Sequence, residues 1–335
     1  MDTYILAIVL IVFASFFQGT FGLGMKHIAP LKWEAWWLVH AFTAMILFPI
    51  LWALIVIPNL FEIISQTEGN TLFLAAFYGF LWGIGGILFG VSVEKTGISI
   101  TYGIVMGLAA SVGSIIPLFQ IEGAFEQPSF PIIMLGVALL LVGVAITAVA
   151  GVQRDKLHSN SSTTSKSIKL GVLIAVASGV LSAFLNIGFS NAAPVASVAV
   201  TQYGVDAQNA SLASWVVVLL GAFAMNGGYA LYLFIKNKSW NAYRVPNKRK
   251  ALGWAILAGI FWFAALGVYG QGAALMGNLG PVVGWPILLG LALIISNIWG
   301  YREGEWKNAD RPFKVLLGGL TVLIVAICIL GYANY

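Results

Sequence analysis

The sequence predicts an all-α integral membrane protein of ten transmembrane helices, laid out as two five-helix inverted repeats. Three observations predict it. Of 335 residues, 60% are hydrophobic and only 9% charged, against about 25% charged in a soluble domain. Ten separate apolar runs are each long enough to cross about 30 Å of hydrocarbon as a helix. Every basic residue falls in alternate connections between those runs. Transmembrane β-barrels would show ~10-residue alternating segments instead.

The first run, near residues 4–24, has no basic residue ahead of it and is followed by Lys26. It reads as a retained span and not a cleaved leader. The second, 34–57, contains Pro49, and the third, 71–92, is glycine-rich; 97–119 and 130–151 complete a first repeat over 1–151. Residues 152–168, with the tract Ser159-Asn160-Ser161-Ser162-Thr163-Thr164-Ser165, form a flexible polar linker on the cytoplasmic side. The second repeat, 169–335, holds runs near 169–189, 208–235, 251–275, 280–300 and 313–333. The lone Cys328 has no partner for an internal disulfide.

All 17 lysines and arginines lie in or at the edges of connections 1–2, 3–4, 5–6, 7–8 and 9–10. Basic loop residues resist translocation, so these connections are assigned to the cytoplasm and both termini to the opposite side. The basic cluster within 236–250 is then a topology determinant, and no nucleic-acid or lipid-headgroup partner is needed to explain it. No carboxylate lies near a span centre, where one would be retained chiefly for function.

The two halves share a spacing. Gly79, Trp82, Gly90 and Gly97 recur 180 residues later as Gly259, Trp262, Gly270 and Gly277. Phe16, Gln18 and Phe21 match Phe184, Asn186 and Phe189; Pro49 falls opposite Asn226, and Pro131 opens run 5 as Pro312 opens run 10. Five helices per half is odd, so the halves enter the membrane in opposite senses. Such inverted repeats recur in secondary transporters, where they give nearly equal-energy inward-open and outward-open states.

Small residues allow close helix approach in lipid. Gly79-x-x-x-Gly83, Gly86-x-x-x-Gly90 and Gly280-x-x-x-Gly284 are expected to supply packing surfaces. Pro49, Asn226-Gly227-Gly228 and Gly267-x-x-Gly270 mark hinges where a helix can bend or unwind, with Pro49, Asn226 and Gly270 as the key positions.

Polar residues at membrane depth are amides, hydroxyls and aromatics without fixed charge. They suit an uncharged sugar, because each offers donors and acceptors to hydroxyls while ring faces cover C–H surface. A phosphate or carboxylate would ask for buried Arg or Lys. Gln18, Tyr78, Trp82, Asn186, Trp262 and Tyr269 are the expected substrate-binding residues, between the halves near the midplane. Each also has a plainer role as an interhelical hydrogen bond or interfacial anchor. His40, roughly 10 Å past Trp33 at 1.5 Å per residue, is the one readily titratable side chain well inside a span and the first candidate for proton coupling. Glu34 and Glu94 are alternatives at the cytoplasmic end. Trp33, Trp36 and Trp37 read as the cytoplasmic aromatic belt.

Other functions lack their marks. His27, His40 and His158 show no metal-ligand spacing for an enzyme site, and no metal or other cofactor is called for. No lysine lies deep in a span for a Schiff base, no P-loop motif occurs, and no ring-forming charge or repeated filter sequence marks a channel. The partners expected are a sugar, a coupling cation and the lipid bilayer.

With Lys32-Trp33-Glu34 opening run 2, Trp82-Gly83-Ile84-Gly85 then Gly90 in run 3, and Glu305-Trp306-Lys307-Asn308-Ala309 before run 10, the chain resembles the bacterial L-rhamnose-proton symporter family of the drug/metabolite transporter superfamily. The order and spacing of these short motifs, over nearly the full length, carry the resemblance. It implies import of L-rhamnose or a related 6-deoxyhexose across the bacterial inner membrane by cation symport, with a proton ahead of sodium. The chain departs from the family pattern at Gly86-Ile87-Leu88-Phe89 and at His40, so the exact sugar and a shared proton site are not carried over. An exporter or exchanger of small metabolites on the same scaffold is the alternative.

Overall fold

The computed structural model describes residues 3–158 and 165–333, and every element among them is helical. Ten helices are long and apolar enough to span a membrane: Thr3–His27, Trp33–Val56, Gly69–Thr96, Ile98–Phe119, Ser129–Leu157, Lys169–Tyr203, Ala207–Lys236, Lys248–Leu275, Gly277–Arg302 and Asp310–Tyr332. They are numbered span 1 to span 10 below. Each overlaps one apolar run of the sequence, and span 6 extends 14 residues past its run.

Breaks fall where local chemistry demands them. Gly97, at φ +82°, turns the chain between spans 3 and 4 in a single residue, a conformation only glycine adopts cheaply. Gly204, at φ +64°, ends span 6 as a left-handed cap. Within span 6 the α-helix stops at Asn191 and resumes at Ala193, with Pro194 in its first turn. Span 2 is α-helical to Phe42, π-helical over Thr43–Leu47 and α-helical again from Phe48. Pro49 has no N–H to donate, and the widened turn just before it accommodates the lost bond.

Three stretches singled out in the sequence have the following structure. Around the linker, helix continues to His158 and restarts at Ser165; the tract 159–164 lies outside the described residues. Spans 7 and 8 are continuous α-helix through Asn226 and Gly270. Gly86 and Gly90 have no atom within 4 Å of where a Cβ would stand, so that pair is not a packing surface.

The helices form two compact units, each drawn from both halves of the sequence. Unit 1 is Met1–Gly83 with Gly188–Leu275, and unit 2 is Ile84–Ile187 with Met276–Tyr335. In unit 1, span 1 packs on span 8, span 2 on span 7, and span 7 on span 8. In unit 2, span 5 packs on span 10, span 4 on span 9, and spans 4 and 10 flank 5 and 9. Glycines set the closest approaches. Cβ atoms on Gly136 and Gly143 of span 5 would come within 2.6 Å of Leu330 and 2.8 Å of Leu323 on span 10.

Candidate functional site

The site begins with a helix crossing inside unit 1. A Cβ on Gly79 would stand 1.9 Å from the Val218 carbonyl oxygen, one on Gly83 2.6 Å from the Met225 Cβ, and one on Gly221 1.7 Å from the Ala76 carbonyl. Only residues without a side chain let spans 3 and 7 approach this closely. The crossing places Trp82 of span 3 against Trp262 of span 8, with ring centroids 5.3 Å apart and planes at 32°. Trp262 is buried and Trp82 half-buried. One turn earlier on span 8, a Cβ on Gly259 would lie 3.0 Å from both the His40 carbonyl and the Thr43 Cβ, so span 2 crosses there, just before its π turn.

His40 is 1% exposed. Its ring stacks on Trp36 at 5.2 Å, on Phe21 at 6.3 Å, and is tilted against Trp37 at 4.9 Å. The imidazole is within hydrogen-bonding reach of the Ala255 backbone carbonyl, and no charged group among the described residues acts on it. Its Nδ1 has no hydrogen-bond partner. Trp37 in turn donates through Nε1 to the Asn226 Oδ1 at 3.3 Å, and the Asn226 Nδ2 donates to the Ala222 carbonyl at 3.0 Å.

The sequence-predicted residues divide accordingly. Trp82, Trp262, His40 and Asn226 are brought into one connected cluster. Tyr78 lies one turn before Trp82, half-buried, with its Cβ 3.0 Å from where a Cβ on Gly188 would stand. Gln18 is half-buried on span 1, and its Oε1 is buried without a partner. Tyr269 is fully buried in a separate aromatic stack with Phe189 at 5.8 Å and Trp215 at 6.3 Å. Gly270 makes room for that stack, since its Cβ would fall 2.6 Å from the Trp215 Nε1.

Asn186 belongs to unit 2. It is 0% exposed, and its Nδ2 donates to the carbonyls of Gly113 at 2.8 Å and Pro281 at 2.9 Å, which uses both amide hydrogens. Glu94, also in unit 2, is exposed. Glu34 is 5% exposed in unit 1, and its Oε1 accepts from Asn237 and Ser239. Beside it the Tyr243 hydroxyl donates to the Ala35 carbonyl at 2.8 Å; partial burial raises the Tyr243 pKa above the ordinary phenol value, keeping it a donor.

Sequence reasoning missed Trp36 and Trp37. Only Trp33, at 36% exposure, is placed as a belt residue would be; Trp36 is 0% exposed, because span 8 covers it with Ala251, Ala255 and Ala258. The signal was present in the spacing, since Trp36 and Trp37 lie four and three residues before His40 and so share its helix face.

The cluster presents ring faces, one amide and one imidazole, and no fixed charge. The ten apolar spans define the class, an all-α, multi-pass membrane protein. The family model described as L-rhamnose-proton symport protein (RhaT) matches residues 1–334, and the chain belongs to that family. Similar curated proteins include the L-rhamnose-proton symporter of Escherichia coli O1:K1 / APEC, 28% identical over 318 residues, and that of Citrobacter koseri, 26% identical over 316 residues. In both cases 91% of this chain and 91% of the relative are covered.

Proposed function

We propose that this chain imports L-rhamnose, or a closely related neutral 6-deoxyhexose, together with a proton across the bacterial inner membrane, by alternating access between two inverted repeats. The observation that carries the reading is the Trp82–Trp262 pair, 5.3 Å between centroids, contributed by repeat-equivalent positions of the two sequence halves. Aromatic faces cover the C–H face of a sugar while neighbouring amides meet its hydroxyls. Gln18 and Tyr78 complete the lining in this reading. Asn186 and Tyr269 serve it from outside, by holding backbone carbonyls and packing rings.

His40 carries the coupling proton, with Glu34 and Glu94 as the alternatives. The repeat reading is supported by packing within the units, where repeat-equivalent spans 2 and 7, 4 and 9, and 5 and 10 lie against each other. The basic connections face the cytoplasm and both termini face out.

The test is uptake of labelled L-rhamnose into proteoliposomes with an imposed pH gradient, acidic outside, against a sodium gradient and no gradient. Accumulation with the proton gradient alone is expected, reduced by unlabelled rhamnose and less by other monosaccharides. Equilibration without accumulation under any gradient would leave the exchanger reading; accumulation with sodium alone would overturn the proton.

A further inference from the structure

Asn226 is 5% exposed and its amide meets its own helix and two others. Its Oδ1 accepts from the Trp37 Nε1 at 3.3 Å, its Nδ2 donates to the Ala222 carbonyl at 3.0 Å, and the same Nδ2 lies 3.1 Å from where a Cβ on Gly83 would stand. The bond to Ala222 fixes which way the amide faces, because a flipped amide would set two donors against each other at Trp37. Gly83 is the residue after Trp82, and Trp37 leans on His40 at 4.9 Å. The amide therefore lies against the span 3 backbone next to Trp82 and bonds the ring that leans on His40.

We infer that Asn226 is the positioning residue that holds Trp37 against His40 and so ties occupancy of the Trp82–Trp262 pair to the proton on His40. The inference rests on the sugar and His40 assignments proposed above. Around the imidazole, span 1 contributes Phe21, span 2 contributes Trp36 and Trp37, and span 8 contributes the Ala255 carbonyl. Of the titratable groups on those elements, His27 stacks on Trp254 at 4.4 Å and Glu34 is bonded to Asn237 and Ser239, while Lys26, Lys32, Lys248, Arg249 and Lys250 stand at the helix ends. Of these rings Trp37 is the one that a hydrogen bond ties to another span, so a change in its set alters the surroundings of His40. Sugar seated against Trp82 would press on the Gly83 backbone and the amide behind it.

The experiment compares two assays in the full-length carrier. Counterflow of labelled rhamnose without a gradient reads binding and translocation; accumulation under a gradient of one pH unit, which supports about tenfold for one proton per sugar, reads coupling. Asn226→Ala and Trp37→Phe each remove one side of the hydrogen bond, and the second keeps a ring in place. Each is expected to retain most counterflow and to lose most of the accumulation, and the double variant to do no worse than either single, since both delete the same bond.

Full accumulation in either single variant, or a multiplied loss in the double, would overturn the inference. So would counterflow lost in step with accumulation, which is the mark of a merely structural amide. His40→Ala is measured alongside. If it alone uncouples, the proton assignment stands and the role of Asn226 falls; if it stays coupled, the assignment fails whatever Asn226 does.

Discussion

Units 1 and 2 are similar in helix content and differ in how many buried polar groups they leave without a partner. In unit 2 the buried donors go to backbone carbonyls: Ser178 to Gly85, Ser114 to Val282, Trp285 to Ala109, Ser92 to Gly171, and Asn186 to Gly113 and Pro281. In unit 1 the Gln18 Oε1, Trp36 Nε1, His40 Nδ1 and Trp215 Nε1 are buried without partners, whereas among the described residues of unit 2 this holds only for the Trp306 Nε1. That indole lies under the Arg154 guanidinium at 4.9 Å. Buried polar groups without partners are costly and call for an explanation. A uniform tolerance of loose ends would spread them evenly. Two of them, Trp36 and His40, stack on each other at 5.2 Å, while Trp215 lies in the separate stack with Phe189; under the proposed function these groups are hydrogen-bonding capacity that unit 1 holds in reserve.

The largest expected effect sharpens this contrast. Asn186→Leu removes two interhelical bonds of about 0.6–2 kcal/mol each in a membrane setting. Thermal unfolding in detergent should show a loss of roughly 1–4 kcal/mol, with the KM for rhamnose of the surviving carrier unchanged. Gln18→Leu, of similar volume, is expected to leave stability unchanged and to raise KM severalfold. If the two variants exchange phenotypes, the division between the units is wrong.

Trp82→Ala comes next. Losing one aromatic face is expected to weaken rhamnose binding by about 1–3 kcal/mol, roughly 5- to 150-fold, measured as KM for counterflow, with little change in unfolding temperature because Trp82 is only half-buried. Unchanged KM would remove the tryptophan pair from the site. His40→Ala is smaller in energy. The driving force of a one-unit gradient is about 1.4 kcal/mol per proton, so accumulation should fall from about tenfold to none while exchange persists, and retained accumulation would move the proton elsewhere.

The spans and the basic connections were legible because both depend on local composition: hydrocarbon thickness sets the length of an apolar run, and charge decides which connections stay behind. Span 6 was read too short because Ser190, Asn191, Thr201 and Gln202 interrupt the apolar pattern, although the helix continues to Tyr203. Within the candidate site, the repeat singled out Trp82 and Trp262, whose rings meet at 5.3 Å, since equivalent positions in two halves outweigh one residue in one helix. It also elevated Asn186, whose amide is used internally. Sequence spacing gives a helix face but not its neighbour, and for Asn186 the neighbours are two carbonyls on spans 4 and 9. The same ignorance of neighbours hid the burial of Trp36 under three alanines of span 8 and made open glycines at 86 and 90 look like a contact.

The π-helical stretch Thr43–Leu47 holds one residue more than an α-helical turn needs. Each residue contributes about 100° of rotation in an α-helix, so the extra residue turns the part of span 2 that carries His40 by about that angle against the part that follows Pro49. The stretch stationed three residues beyond the imidazole thus sets which neighbours His40 meets, while the helix itself stays whole.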